Sequence, residues 1–114
     1  MKYKEIYTLT RPDTTVPFYP EGSIHAPAAG DDFTDTVAYR HFIETYVDTG
    51  KCDLTSPSLS EDGLTLTYTT VYTTVETITE LKSDPIYADS GDIDDPYHNE
   101  HNIVGSSDIL PMTE

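Results

Sequence analysis

The stretch at residues 63–85 constrains the fold most, because its hydrophobic period changes part-way along. Residues 64–72 largely alternate Leu, Tyr or Val with Thr, and an alternation at a spacing of two is typical of a half-buried β-strand. From residue 73 onward the apolar residues recur every three positions, as they do along one face of a helix. This stretch therefore predicts a strand followed directly by a helix.

The beginning of this helix carries a capping signal. The sequence Thr73-Thr74-Val75-Glu76 matches the S/T-x-x-E capping box, in which the first and last side chains each accept a hydrogen bond from the other's backbone N–H. We therefore expect Thr73 to be the N-cap. The residues expected to face the core are Val75, Ile78 and Leu81, and those expected to face outward are Thr74, Thr77 and Glu80.

Two more strands are predicted. Residues 3–10, YKEIYTLT, carry apolar groups on both sides, which suits a strand covered on both faces. Residues 52–59 predict a strand that Pro57 confines to a sheet edge or a bulge, because proline has no N–H for the ladder. The turn at 60–63, in which Gly63 tolerates a positive φ, joins this strand to the next as a hairpin.

A helix is predicted for residues 33–49. Asp31 and Asp32 are suitable N-caps, and Gly50 is a suitable C-terminal stop. One stripe of the helical wheel, expected to face the core, carries Ala38, Tyr39, Phe42, Ile43, Tyr46 and Val47. The opposite side, expected at the surface, carries Arg40, His41, Glu44 and Asp48.

A long proline-rich connection, residues 12–30, precedes this helix. A loop of this length in a compact domain is typical of a functional segment or a partner arm. Its sequence VPFYP places Phe18 and Tyr19 between prolines. Two roles fit this apolar pair: packing over the protein's own core, or binding another protein.

Charge is strongly unbalanced: six Lys and Arg face 21 Asp and Glu, which gives a net charge of −15. This charge repels nucleic-acid backbones and anionic membrane surfaces, so we expect neither as a partner. No stretch approaches the roughly 18 apolar residues of a spanning helix, and no leader-like segment is recognisable. With a single cysteine, Cys52, the expected location is the cytoplasm, a host cytoplasm or a virion.

The acids concentrate at the C-terminal end, where residues 84–114 hold eight of them and no Lys or Arg. We expect an α+β domain at 1–85, followed by an acidic, partly ordered extension at 86–114. Pro96 argues against a regular helix there. The apolar pair Ile103 and Val104 is expected either to form a short fourth strand or to meet a partner.

The order of elements, β-α-β-β-α with a possible final strand, is that of the ferredoxin-like fold. This fold has an antiparallel sheet with two helices on one face, here with a long βα loop and an acidic C-terminal tail. Apolar residues on both sides of the strands leave a second face to be covered, and a second copy stacking sheet to sheet would cover it. We therefore expect a homodimer or higher homo-oligomer, with another protein as a further partner through the 12–30 loop or the tail.

The segment SEDGLTLTYTTVYTTVETITELKSDP, residues 60–85, resembles the strand-then-helix half of dimeric α+β barrel proteins of the antibiotic-biosynthesis-monooxygenase type. The layout of residues 1–85 is also similar to that of small acidic proteins of marine tailed phages. The first resemblance implies a cofactor-independent or haem-handling oxygenase with a pocket between helix and sheet, which Arg40 or His41 could reach. The second implies a virion or accessory protein.

Few residues carry a recognisable chemistry. His98 and His101 lie three positions apart with Glu100 beside them, a weak candidate for a metal site whose alternative is a solvated polar turn. No residue is assigned to catalysis and no cofactor is expected. The expected function is therefore a non-catalytic interaction or structural protein that self-associates through its sheet. The alternative is a small monooxygenase-like enzyme, which a deep pocket lined by Tyr39, Phe42, Tyr68 and His41 would favour.

Overall fold

The computed structural model describes residues 2–28, 30 and 32–112. Within them the chain forms an α+β fold with four strands and three helices. The strands are β1 (Tyr3–Thr10), β2 (Cys52–Leu59), β3 (Thr65–Tyr72) and β4 (Val104–Pro111). The helices are α1 (Val37–Phe42), which continues as a π-helical segment (Ile43–Val47), α2 (Val75–Lys82) and α3 (Pro85–Glu100).

All four strands join one sheet in the order β2-β3-β1-β4, and every neighbouring pair is antiparallel. The three strands predicted from alternation are confirmed, to within one residue. The prediction for Pro57 is also confirmed, because β2 lies at the sheet edge and its register with β3 shifts between Thr55 and Ser58. Gly63 has a φ of +76° in the hairpin turn, as expected.

Helix α1 begins later than predicted. Its N-cap is Thr36, whose hydroxyl accepts a hydrogen bond from the Tyr39 N–H at 3.0 Å. Asp32 instead forms a local turn with Thr34 (N···Oδ1 3.1 Å), while Asp31 lies outside the described residues. The local turn occupies the side chain that would otherwise cap an earlier helix start, so residues 33–36 are not helical. The predicted core stripe is confirmed at its centre, where Ala38, Phe42 and Tyr46 are buried.

Helix α2 also starts one residue later than predicted. The Thr73 hydroxyl donates to the Lys51 carbonyl oxygen at 2.8 Å, so Thr73 is held by the chain before β2 and Thr74 becomes the N-cap. The Thr74 hydroxyl accepts from the Thr77 N–H at 3.3 Å. The predicted faces are wrong at two positions, because Thr77 is buried and Val75 is 50% exposed.

The acidic segment after residue 84 folds onto the rest of the protein. Asp84 caps α3 by accepting from the Ile86 N–H at 3.1 Å, and the helix continues through Pro96. The expectation that Pro96 would prevent a helix is therefore wrong. Two contacts made by residues after the proline hold the last turn of the helix. The Tyr97 hydroxyl donates to the Pro17 carbonyl oxygen at 2.6 Å, and the His98 Nε2 lies 2.7 Å from the Phe18 carbonyl oxygen.

Strand β4 then completes the sheet. It pairs with β1 along its whole length, from Thr10–Val104 to Tyr3–Pro111. The segment expected as a partly ordered extension thus supplies a helix and an edge strand within its described part. Val104 is the first residue of β4, so the expected fourth strand is observed, and its side chain is 66% exposed. Ile103 precedes the strand and is buried.

The helices cover one face of the sheet, and the buried residues beneath them form two clusters. The first holds Leu9, Phe18, Tyr19, Phe33, Leu66 and Ile103. The second holds Phe42, Tyr46, Cys52 and Tyr72. Phe18, Tyr19 and Ile103 are 2%, 7% and 6% exposed, so their interpretation as partner contacts is replaced by a role in the protein's own core.

Arg11 attaches the long loop to the hairpin. Its Nε donates to the Gly63 carbonyl oxygen at 2.8 Å, and its Nη1 donates to the Val16 carbonyl oxygen at 3.1 Å. The guanidinium carbon lies 4.3 Å from the Phe18 ring centroid, a cation–π distance. These contacts keep the loop against the covered face of the sheet.

The other face of the sheet is not covered by any of the described helices. On β1 and β3 it carries Lys4, Ile6, Thr8, Thr10, Thr65, Thr67, Thr69 and Val71. Threonine dominates this open face, so it is more polar than the apolar surface that the sequence led us to expect. None of the helices in the described part of the chain combines the length and the hydropathy needed to cross a bilayer.

Candidate functional site: a tyrosine-lined cavity

A cavity of about 400 Å³ lies between the covered face of the sheet and the helices, and both core clusters contribute to its walls. The sheet supplies alternate residues that point to one side, including Glu5, Tyr7 and Tyr68. Helix α3 supplies the opposite wall with Tyr87, Gly91, Asp94 and His98, which recur at spacings of four, three and four residues. The volume lies in the range of small-molecule sites.

Six tyrosines line the cavity: Tyr7, Tyr19, Tyr39, Tyr68, Tyr72 and Tyr87. Burial raises the pKa of the Tyr19, Tyr68 and Tyr87 hydroxyls well above their ordinary range. These hydroxyls therefore stay protonated at neutral pH. The walls are aromatic surfaces with uncharged polar tips, which suit a ligand that has an apolar or aromatic body.

Glu5 is a buried carboxylate on the sheet wall, and its hydrogen bonds are satisfied within the protein. It accepts from the hydroxyls of Tyr72 and Ser107, each at 2.5 Å, and from the Lys82 Nζ at 3.2 Å. Burial opposes its ionisation, but the hydrogen bonds from Ser107 and Tyr72 and the charge of Lys82 outweigh burial, so the pKa of Glu5 is lowered. Glu5 is thus an ionised structural group at neutral pH.

Asp94 carries the one buried side-chain polar atom of the described residues that has no hydrogen-bond partner. Its Oδ2 lies 3.2 Å from His25 Nδ1, but its Oδ1 is buried and has no hydrogen-bond partner. The residue is 5% exposed and lines the cavity. The His25 ring stacks on Tyr19 with the centroids 5.0 Å apart, and the Tyr87 ring lies 6.1 Å away. Aromatic rings thus pack against the histidine that contacts this carboxylate, whose other oxygen is unused.

His41 makes a second histidine–aspartate pair but is not among the residues that line the cavity. Its Nε2 lies 2.8 Å from Asp84 Oδ2, and the Tyr46 hydroxyl donates to the same oxygen at 2.7 Å. Asp84 Oδ1 caps α3, so both oxygens are used. His41 is thus a partly exposed imidazole, as expected for the surface side of α1, but its ring contacts Asp84, the N-cap of α3.

The weak metal candidates are separated by their contacts. His98 is bound to the Phe18 carbonyl oxygen, the His101 ring lies against Tyr97 with centroids 4.4 Å apart, and Glu100 is exposed. No cluster of three or more His, Cys, Asp or Glu suited to a metal ion occurs in the described part of the chain. Burial raises the pKa of the Cys52 thiol to about 12, which keeps it protonated and unreactive.

From the sequence, a pocket lined by Tyr39, Phe42, Tyr68 and His41 was the feature that would favour the enzyme alternative. Tyr39, Phe42 and Tyr68 line the cavity, and His41 is not among its lining residues. The sequence expectation named no further lining residues. It missed His25, which lies in the long loop, and Asp94, which lies in an acidic run typical of a solvated surface. The shared helical face of Tyr87, Gly91, Asp94 and His98 is a signal that could have located this wall. A comparison of the chain with protein-family models, with curated proteins and with solved structures gives no match.

Proposed function

We propose that the protein binds a small organic molecule in the cavity between its helices and its sheet. The observation that carries this proposal is the cavity itself, a space of about 400 Å³ walled by six tyrosines and reached by only a few charged groups. Sites of this kind bury most of a ligand's apolar surface and orient it through a small number of polar contacts.

We also assign the fold to the ferredoxin-like class. Support comes from the strand order β2-β3-β1-β4, its antiparallel neighbours and the alternation of strands with helices along the chain. Helix α3 is an addition to the simplest form of that fold. It follows α2 after a short turn and supplies the outer wall of the cavity, so the added element is also the one that creates the binding space.

Binding can be tested with 1-N-phenylnaphthylamine, a neutral apolar probe whose fluorescence rises in an apolar site. The decisive variant is Gly91→Phe, because Gly91 lines the cavity and a β-carbon there meets only the Asp95 side chain, at 3.4 Å. Phenylalanine is a better helix former than glycine by about a few tenths of a kcal/mol, so the variant is expected to fold.

We expect the wild-type protein to enhance the probe's fluorescence and Gly91→Phe to lose most of that enhancement. Ile93→Phe is the matched control, since it places the same ring two residues away on the same helix at a position that is 48% exposed. Equal fluorescence from Gly91→Phe and Ile93→Phe, or none from the wild type, would contradict the proposal.

Self-association through the open face is a second candidate. It is favoured by exposed apolar residues at one end of that face, where Ile6 and Leu110 are 37% and 60% exposed. Lys4 lies between Leu110 and Val71 in this part of the sheet. Light scattering would then give about twice the chain mass of 12.7 kDa, and Leu110→Lys would restore the single-chain mass. A single-chain mass for the wild type at high concentration would exclude it.

A further inference from the structure

We propose that the cavity selects an organic cation, an amine with an apolar or aromatic body, whose ammonium group binds Asp94. This inference rests on the proposed function, since it names the ligand class for the same cavity. It starts from one atom, the Asp94 Oδ1, which is buried within the described residues without a partner although the other carboxylate oxygen contacts His25.

A hydrogen-bond donor would stabilise a buried carboxylate oxygen that has no partner. Leaving such a group unsatisfied costs more than an ordinary hydrogen bond gains, and the few unpaired polar groups in folded proteins need a specific explanation. Since Asp94 lines an open cavity, the missing donor can come from a ligand. A cationic N–H, such as that of an ammonium group, binds a carboxylate about twice as strongly as a neutral donor does.

The charges of the cavity lining also favour a cation. Three carboxylates, those of Glu5, Asp94 and Asp95, share the lining with one lysine, Lys82. Lys82 lies 3.2 Å from a Glu5 oxygen, so this positive charge is already paired with one of the three. Of the two lining aspartates on α3, Asp94 contacts only His25 among the described residues, through Oδ2, and Asp95 is exposed. The net charge of −15 on the whole chain draws cations towards the site.

The aromatic walls suit the same ligand. Tyr7 lines the same cavity as Asp94 and Asp95. Burial and the nearby charges of Asp95 and Asp94 raise the pKa of its hydroxyl. Burial dominates the raised pKa of Tyr19, to which the Asp94 charge also contributes. Electron-rich ring faces beside a carboxylate stabilise organic cations through cation–π attraction. A bare metal ion would need several ligands, and the described residues offer no such group.

The test uses three small ligands that share a phenyl group on a two-carbon chain: phenethylamine, a cation at pH 7, neutral 2-phenylethanol and anionic phenylacetate. Each competes with 1-N-phenylnaphthylamine for the wild-type protein. We expect the amine to bind about tenfold more tightly than the alcohol, the difference between a charge-assisted and a neutral hydrogen bond. Phenylacetate is expected to bind most weakly.

Asp94→Asn assigns the preference to one residue. This substitution keeps the size of the side chain and removes its charge, so the amine and the alcohol should then bind within about twofold of each other. Asp92→Asn is the control, because it removes the same charge from an exposed position on the same helix and should keep the tenfold preference. The comparison of ligands on the wild type does not depend on either variant folding.

Each other outcome has a definite meaning. If the neutral probe binds but the alcohol competes as well as the amine, or the acid competes better, the cation inference is overturned while the binding function stands. If the amine preference survives in Asp94→Asn, Asp94 is not its cause and the inference is overturned. If neither the neutral probe nor any of the three ligands binds, the proposed function fails and the inference falls with it.

Discussion

Among the described residues, two histidine–aspartate pairs differ in how their carboxylate oxygens are used. Asp84 accepts hydrogen bonds from His41 and Tyr46 on one oxygen and caps α3 with the other. Asp94 contacts His25 with one oxygen, and the other is buried without a partner among the described residues. The first pair lies outside the cavity and the second lines it.

This difference separates a structural pair from a binding pair. A carboxylate whose hydrogen bonds are all made inside the protein stabilises the fold and has nothing left for a ligand. A cavity-lining carboxylate with an unused oxygen stabilises the fold less, and it can bind a donor that a ligand brings. The two pairs should therefore respond in opposite ways to mutation, the first in stability and the second in binding.

The largest effect is expected for Asp84→Ala. The substitution removes the N-cap of α3 and leaves the buried Tyr46 hydroxyl without its acceptor, so we expect the free energy of unfolding to fall by about 3 kcal/mol. Urea denaturation measures this change. Asp89→Ala, at an exposed position on the same helix, should cost less than about 0.5 kcal/mol. Equal losses of unfolding free energy in the two variants would show that the hydrogen bonds of Asp84 do not stabilise the fold.

Glu5 sharpens the comparison, because it lines the cavity like Asp94 but has its hydrogen bonds satisfied like Asp84. Glu5→Gln should lower the stability by about 2 kcal/mol at pH 7. Since the pKa of Glu5 in the folded protein is below its ordinary 4.5, its contribution is present above pH 4.5 and is lost as the pH falls through the lowered value.

Urea denaturation at pH 7 and at progressively lower pH tests this dependence. The stabilities of the wild type and Glu5→Gln should converge as the pH drops below 4.5. Glu61→Gln, at an exposed turn position, should follow the wild type throughout. A gap between wild type and Glu5→Gln that stays constant with pH would show that the ionised carboxylate is not what stabilises the fold.

A smaller loss of stability is expected for His41→Ala. One hydrogen bond to a charged group is removed while the cap of α3 remains, so the free energy of unfolding should fall by about 1.5 kcal/mol. Binding of 1-N-phenylnaphthylamine should not change, because His41 does not line the cavity. A loss of probe binding without a loss of stability would reverse the roles assigned to the two pairs.

The smallest effect on stability is expected for Asp94→Asn. Its carboxylate has one satisfied oxygen and one buried without a partner, so removing the charge relieves a cost as well as breaking a contact. We expect thermal and urea unfolding to shift by less than about 1 kcal/mol. A loss as large as that of Asp84→Ala would place Asp94 with the structural carboxylates.

Three of the strands and the hairpin pairing of β2 with β3 were predictable from the sequence. Alternation at a spacing of two in residues 3–10 and 64–72 is a local pattern, and Pro57 limits β2 to an edge whatever the rest of the chain does. The helix starts were less predictable. Thr73 and Thr74 are equally good caps in isolation, and the choice was made by the Lys51 carbonyl oxygen, which is 22 residues away in the chain and binds Thr73.

The sequence by itself determined the α+β class, three of the strands and the apolar stripe of α1, because each follows from periodicity over a few neighbouring residues. Only the tertiary structure decided that Phe18 and Tyr19 face inward, that the acidic segment folds, and that His25 meets Asp94 from 69 residues away. The reason is physical. A carboxylate is the same side chain in every sequence, and whether it is solvated, satisfied or left with an unused oxygen depends on the groups that folding brings around it.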